Sequence, residues 1–341
     1  MPVIPLWSNQ AVKACRAGST GVVNEDGYGM NNAYTFLRMS GTTTVDGQID
    51  YGFKSEPEQL HVIASQWLWD WNVLNLVYDS LIRRNPYEQS QVECFLATNV
   101  SVGTWEMDGG ELGTELTFDL RDSVKWHDGM PFTAQDVVFS WNFTKACSPR
   151  VAWNYAFVTD MNNSWVSGPN QVKIRYNVLS MFAKWWAGSL PIIPKHIWEG
   201  RFPDWNQPTF NPSIVRAYHP WEVEKVVSNE TLTEMVGTGP WKYPLGGWIK
   251  GVTIELTAFT DYYFNVSDVD ALLVDSFWKY KGDATAKVSS PYDLGRISGS
   301  DILLLVANYG ANYAPSDFNE NGEVDAEDFS LVTSNFGKIA G

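Results

Sequence analysis

Apolar residues recur at helical spacing along residues 56–86. Leu74, Val77 and Tyr78 stand three and four residues apart, and Leu81 follows one turn later. This periodicity is typical of a helix that buries one face against a core. The proline that closes the run cannot continue a helix, so the pattern predicts a helix that ends there.

Strict alternation of apolar and polar residues predicts strands elsewhere in the chain. A glycine-proline turn and the segment that follows it predict one more strand. The predicted strands lie at 47–53, 113–120, 171–178 and 252–258. Helices and strands mix without a strict βαβ rhythm, which favours a mixed fold of the α/β or α+β class.

A charged turn and a helix follow one another in KWHDGMPFTAQDVVFSWNF, residues 125–143. Thr133 is a good N-cap, and Asp136 stands three residues later as a variant of the capping box. One apolar face of the helix would consist of Val137, Val138 and Trp141. The pattern therefore predicts a tight turn that leads directly into a capped helix.

The neighbouring residues His127 and Asp128 in this turn have two interpretations. They would be a general base and its orienting carboxylate, or part of the scaffold. No nucleophile motif lies nearby, and neighbours in a turn more often point apart than cooperate. We therefore expect a scaffolding role for this pair.

Composition excludes one class of function and leaves another open. The 341 residues include 24 Lys and Arg against 39 Asp and Glu, which gives a net charge of −15. Nucleic-acid binding needs a basic surface, so that class is excluded. The 17 tryptophans either pack in the core or stack on a ligand in a cleft.

Three cysteines match no zinc or redox spacing. No apolar run is long enough to span a membrane.

The tail contains an internal repeat, because GRISGSDILLLVANYG at 295–310 aligns without gaps on GEVDAEDFSLVTSNFG at 322–337. The loop DFNENGEVDAED, which leads into the second copy, places oxygen-bearing residues at alternate positions around Gly322. In an EF-hand-type loop, a tight glycine turn wraps such oxygens round one calcium ion. The predicted ligands are Asp317, Asn319, Asn321, Glu323 through its carbonyl, Asp325 and Asp328.

This duplicated segment resembles a type I dockerin, whose calcium loops end in Asp, as this loop does at Asp328. The resemblance implies Ca²⁺ as a cofactor and docking to a cohesin-like partner. The first copy, with its loop at 290–301, lacks most ligand positions and is not expected to hold calcium. A structural cap is the alternative interpretation of the module, and a solvated Asn- and Asp-rich loop is the alternative interpretation of its calcium site.

The stretch ELTFDLRDSVKWHDGMPFTAQDVVFSWNF resembles the signature of family 5 extracellular solute-binding proteins, the peptide and nickel receptors of ABC importers. Nearly every signature position is met at 120–140. Segments at 76–86, 190–199 and 236–243 resemble further landmarks of that family in the same order. The resemblance covers residues 46–265. It implies a two-lobed receptor that closes on a peptide or similar small solute, works with importer membrane subunits and catalyses no reaction.

Two segments match stretches that line the ligand cleft in this family, SQWLWDW at 65–71 and AWNYAF at 152–157. Aromatic platforms with a few amides also suit extended peptides or sugars. Core packing is the alternative interpretation of each residue. The resemblance implies as ligand-binding residues Ser65, Gln66, Trp67, Trp69, Trp153, Asn154 and Tyr155.

The resemblances divide the chain into three parts. Residues 1–43 resemble the C-terminal end of a family member, 44–278 its N-terminal lobe and 279–341 the dockerin-like module. We therefore expect a periplasmic-binding-protein-like lobe of an incomplete two-lobed receptor, followed by a small α-helical, EF-hand-like dockerin module. Because a segment that resembles the family's C-terminal end precedes one that resembles its N-terminal lobe, we expect a piece of a longer tandem receptor or a truncated reading frame. Either would explain why the first residues do not resemble a signal peptide. The protein is expected outside the cell or at its surface.

Two rival classes stay open at this point. A dockerin-bearing enzyme of an extracellular polysaccharide-degrading assembly would need a nucleophile or a carboxylate pair, and none stands out. A surface-layer or adhesion fragment would be held by its calcium module alone. Binding of a small solute would favour the receptor, and hydrolysis of a glycan or peptide would favour the enzyme.

Overall fold

The computed structural model describes residues 19–23, 29–30, 32–38, 40–41, 44–45, 48–52, 55–86, 91–227 and 230–264. The chain forms two compact units. Their bounds are Met1–Gly52, Pro86–Gln89 and Val266–Gly341 for the first unit, and Phe53–Asn85 and Ser90–Asn265 for the second. The predicted dockerin-like module, with its calcium loop, lies outside the described residues.

The described part of the first unit contains a short helix and two small antiparallel strand pairs. These elements are β1 Ser19–Thr20, α1 Ala33–Arg38, β2 Ser40–Gly41, β3 Thr44–Val45 and β4 Gln48–Ile49. β1 pairs with β2, and β3 pairs with β4. The buried Asn32 caps α1, because its Oδ1 accepts the Thr35 N–H at 2.9 Å and its Nδ2 donates to Val23 O at 2.8 Å.

The second unit holds the remaining described elements. Its helices are α2 Leu68–Val77, α3 Ala134–Cys147, α4 Ala183–Gly188, α5 Lys195–Arg201 and α6 Ser213–Arg216, with a 3-10 turn at Tyr155–Phe157. Its strands are β5 Ile82–Arg84, β6 Val92–Cys94, β7 Ala97–Glu106, β8 Leu112–Leu120, β9 Met161–Gly168, β10 Gln171–Tyr176, β11 Glu224–Val227, β12 Glu230–Thr233, β13 Trp241–Lys242, β14 Trp248–Ile249, β15 Thr253–Ile254 and β16 Thr257–Ala258.

A four-stranded antiparallel sheet in the order β7-β8-β10-β9 forms the main layer of this unit. Its alternating residues explain why one face is buried: Leu116 and Phe118 on β8 and Ile174 on β10 are fully buried. α3 covers this face, with the Phe118 and Trp141 rings 5.9 Å apart. The prediction of a mixed fold is confirmed, since helices pack on an antiparallel sheet.

The strand and helix predictions hold where local pattern and tertiary structure agree. The strands at 113–120 and 171–178 are β8 and β10, and the predicted capped helix is α3. The segment 252–258 forms two short strands, which pair with different partners, instead of one. At 47–53 the described strand residues are only those of β4.

The helix predicted to reach Pro86 ends at Val77 instead. The backbone turns extended at Tyr78, with φ −112° and ψ 127°. Val77 O accepts the N–H of Gly239 at 2.9 Å, so a distant segment occupies the end of the helix. Leu81 is still fully buried, although it lies beyond the helix. Tertiary contacts therefore override the helical periodicity in this stretch.

Two further features of the described residues concern membrane spans and cysteines. Within them, no helix is both long and apolar enough to cross a membrane. Cys94 is half-buried and Cys147 is buried, and both are free thiols.

Candidate functional site

His127 connects the signature turn to the glycine-rich landmark at 236–243. Its Nε2 donates to Gly239 O at 2.8 Å, and its Nδ1 accepts the Gly237 N–H at 3.2 Å. Burial lowers the pKa of His127 to about 4, so the ring is neutral at pH 7. Both nitrogens are occupied by the backbone, which makes His127 part of the scaffold, as expected.

Close approach of two backbones explains the glycines of this landmark. A Cβ at Gly237 would lie 1.8 Å from Val77 O, and one at Gly239 would lie 2.4 Å from Leu76 O. No other residue fits at such distances without a shift of the backbone. The end of α2, the signature turn and the glycine landmark therefore form one interlocked unit.

Asp128 and Asp136 connect the signature to the segment at 190–199. Asp128 Oδ2 lies 2.8 Å from His196 Nε2, and Asp136 Oδ1 accepts the Lys195 N–H at 3.0 Å. The other Asp136 oxygen accepts the Thr133 N–H at 2.8 Å, as the capping-box prediction requires. Burial opposes ionisation of Asp128, but the hydrogen bond and charge of His196 hold its pKa below the usual value.

A second buried histidine shapes the turn before the first predicted cleft segment. His61 Nε2 donates to Val215 O at 2.7 Å, while its Nδ1 accepts the N–H groups of Ile63 and Ala64, both at 3.2 Å. Burial lowers the pKa of His61 to about 4. The neutral ring fixes the turn at 61–65, and α2 begins three residues later at Leu68.

The structure brings the two predicted cleft segments together. The Trp153 N–H donates to Ile63 O at 3.2 Å. The Trp71 and Trp153 rings lie 4.9 Å apart, and Phe157 extends the row, 6.2 Å from Trp153. Trp71 Nε1 donates to Ser65 O at 3.2 Å, which ties the start of α2 to the turn before it. We call these three rings, together with the exposed rings of Trp67 and Tyr155 in the same two segments, the aromatic row.

The seven predicted ligand-binding residues differ in accessibility. Trp67 is 57% exposed and Tyr155 45% exposed. Gln66 is also exposed, whereas Trp69 and Trp153 are half-buried. Ser65 is buried, and its hydroxyl donates to Gln59 O at 3.1 Å, so it holds the backbone in place. Asn154 is buried at 2% exposure.

Unsatisfied polar groups mark the second segment. Asn154 Oδ1 and Nδ2, and Trp153 Nε1, are buried and have no hydrogen-bond partner in the described part of the chain. A buried polar group without a partner costs about 1–3 kcal/mol, and native proteins keep few of them without a reason. The Asn154 amide therefore lacks a partner for both its donor and its acceptor group, and in the first segment Asp70 Oδ2 is also buried without a partner among the described residues.

Formal charge is nearly absent from the two cleft segments. Asp70 is the one Asp, Glu, Lys, Arg or His within them. It is buried, and its Oδ1 accepts the N–H groups of Glu58 and Gln59 at 2.8 and 3.3 Å. Burial raises the pKa of Asp70, and these hydrogen bonds oppose the shift. The accessible chemistry of these segments is therefore aromatic rings and neutral amides.

Sequence reasoning missed two members of the aromatic row. Trp71 lies one helical turn after Trp67, with its N–H 3.3 Å from Trp67 O, so the spacing within SQWLWDW was a usable signal. Phe157 lies in the quoted AWNYAF segment. Its contact with Trp153 depends on the 3-10 turn at Tyr155–Phe157. No sequence pattern predicted that turn.

The chain belongs to the bacterial extracellular solute-binding proteins, family 5, because the model of that family's middle region matches residues 105–289. It is 34% identical over 183 residues to the probable peptide-binding protein YejA of Agrobacterium fabrum, covering 53% of this chain and 25% of that protein. It is 32% identical over 129 residues to the periplasmic murein peptide-binding protein MppA of Escherichia coli, covering 37% and 22%.

The match to a solved structure also covers only part of each chain. The oligopeptide-binding protein from Thermus thermophilus in complex with a pentapeptide matches with a TM-score of 0.47 and 19% identity, covering 60% of this chain and 35% of that one. The chain spans about a quarter of the length of these curated relatives. The match of the family model confirms the family resemblance stated from the signature.

Proposed function

We propose that this chain is part of the substrate-binding component of an ABC-type importer, which binds peptides or similar small solutes outside the cell and catalyses no reaction. The observation that carries the proposal is the aromatic row with the unpaired Asn154 amide beside it, within a member of a solute-binding family. Relatives described as peptide-binding support the choice of ligand. The partners would be the membrane subunits of the importer.

The chemistry of the row suits a peptide backbone. Flat indole rings cover apolar or planar groups and retain a polar edge. The Asn154 amide offers one acceptor and one donor group, which match the N–H and C=O of a peptide bond. We propose that Trp67, Trp69, Trp153 and Tyr155 contact the ligand by their rings and Gln66 and Asn154 by their amides. Ser65 would position the first segment.

A pair of substitutions at similarly exposed positions tests this proposal. Trp67 is 57% exposed and Ile249 54% exposed, but only Trp67 belongs to the aromatic row. Titration with di- to pentaalanine, followed by tryptophan fluorescence, would measure binding. We expect Trp67→Ala to weaken binding of the tightest-binding peptide about tenfold and Ile249→Ala to leave it unchanged. Equal affinities in both variants, or no response to any peptide, would count against this site.

For the tail, we propose that the second repeat binds calcium and that the module docks a cohesin-like protein. The support is the ligand spacing from Asp317 to Asp328 in the sequence, since these residues lie outside the described ones. Calcium should raise the melting temperature of the tail, because it binds only the folded state. Asp317→Ala together with Asp328→Ala should abolish that rise, and an unchanged calcium response would refute the ligand set.

A further inference from the structure

We infer that one end of the four-stranded sheet is a docking surface for a basic, amphipathic segment of a partner protein. Four apolar side chains are exposed there. Leu112, Leu179, Met181 and Phe182 are 50%, 64%, 86% and 59% exposed, respectively. We call these four residues the sheet-end patch. It is separate in sequence from both segments of the aromatic row, so the inference does not depend on the proposed ligand site.

Strand register places the four residues at the same end of the sheet. Tyr176, the last residue of β10, pairs with Thr114 on β8. The chain then continues beside β8, since Val178 O accepts the Thr114 N–H at 3.0 Å and the Ser180 N–H donates to Thr114 Oγ1 at 3.0 Å. Leu112 lies two residues before Thr114 on the same strand. The patch therefore lies on two neighbouring segments, the start of β8 and the stretch before α4.

The segment that carries the patch is firmly anchored. Ala183 and Ala187 of α4 are fully buried, and the Phe182 N–H donates to Ser180 Oγ at 3.1 Å. Contacts of α4 and hydrogen bonds to Thr114 therefore hold the backbone beneath three of the four exposed side chains. Clusters of exposed apolar side chains on rigid elements are typical of protein interaction sites.

Acidic side chains beside the patch favour a basic partner segment. The β7–β8 hairpin presents Glu106, Asp108 and Glu111, all exposed and without a side-chain hydrogen bond or ion pair among the described residues. Lys184 is the one cation of the segment 178–188. A second copy would bring acidic hairpins together between chains of net charge −15. Apolar anchors flanked by Lys or Arg complement both the patch and its acidic border.

The test uses the full chain and a fluorescently labelled amphipathic peptide of leucine and lysine, with binding measured by anisotropy. A peptide of the same composition in a non-amphipathic order is the control. We expect the triple variant Leu179→Ser, Met181→Ser, Phe182→Ser to weaken binding about tenfold or more. Ile249→Ser with Val252→Ser, which removes two other exposed apolar residues, should change nothing.

A second set of variants separates charge from apolar contact. Glu106→Gln, Asp108→Asn and Glu111→Gln together should weaken binding and reduce its salt dependence. Met181→Ser alone, at the most exposed position, tests the patch again if the triple variant does not fold.

Three results would overturn the proposal. The first is equal binding by all variants or by both peptides, which would indicate attraction to net charge alone. The second is concentration-dependent dimerisation that the triple variant removes, which would make the patch a contact between copies of this chain. The third is binding to phosphatidylcholine vesicles through the patch, which would assign it to a membrane.

Discussion

The signature region and the aromatic row differ in how their buried amide and imidazole groups are paired. Around His127, both ring nitrogens and both carboxylate oxygens of Asp136 have partners. Single buried donors without partners occur in both regions, as the indole N–H of Trp126 and that of Trp153. Among the described residues, Asn154 beside the aromatic row is the one side chain whose two polar atoms both lack a partner. That amide carries an energetic penalty that a ligand would relieve, and this difference distinguishes the candidate site from the scaffold.

The comparison predicts that low pH destabilises the folded protein through the buried histidines of the scaffold. His61 and His127 have pKa values near 4 in the folded protein, against the ordinary 6.5. Below pH 6.5 the unfolded chain takes up protons on these histidines that the folded chain does not. Their contribution to the free energy of unfolding is therefore fully present above pH 6.5 and is lost as the pH falls towards 4. Each histidine should contribute a loss of about 3 kcal/mol.

Urea unfolding across this pH range measures the loss, and NMR titration of the native histidines checks its cause. Signals of His61 and His127 that titrate near 6.5 in the folded protein would contradict the account. So would a free energy of unfolding that does not change between pH 6.5 and 4.

A methyl group at Gly237 should disrupt the contact between the glycine landmark and α2. Gly237→Ala would place a Cβ 1.8 Å from Val77 O, and overpacking typically costs about 1–3 kcal/mol. Gly200 is the matched control, since it lies in α5 and an added Cβ would meet nothing within 4 Å. Gly200→Ala should be neutral or stabilising by about 0.5–1 kcal/mol. Similar thermal shifts in the two variants would refute the close-approach argument.

Asp128 and Asp261 lie at equal distances from their partners, so substitutions at the two positions compare the contribution of a buried contact to stability with that of an exposed one. Asp128 lies 2.8 Å from His196, and its side chain is 1% exposed, whereas Asp261 lies 2.8 Å from Lys125 and is 54% exposed. Asp128→Asn should lower the free energy of unfolding by about 1–2 kcal/mol. Asp261→Asn should change it by less than about 0.5 kcal/mol. An equal loss in both variants would show that burial does not decide the effect.

Local sequence patterns predicted the elements whose formation depends on residues close together in the chain. The alternation in GTELTFDL gave β8, and the capping box gave α3, because each depends on residues a few positions apart. The end of α2 could not be predicted, since it depends on the N–H of Gly239 far along the chain. In the candidate site, the two segments were identified by resemblance. The Trp71–Trp153 contact and the unpaired amide of Asn154 emerged only from the three-dimensional structure.

The most direct test of the central claim is to measure stability and peptide affinity together in Asn154→Leu. Leucine keeps the approximate shape of asparagine and removes the unpaired buried amide. We predict that the free energy of unfolding rises by about 1 kcal/mol, while affinity for the tightest-binding oligoalanine falls about tenfold. A variant that is less stable, or that binds the peptide as well as the natural protein, would contradict the assignment of Asn154 to a ligand site.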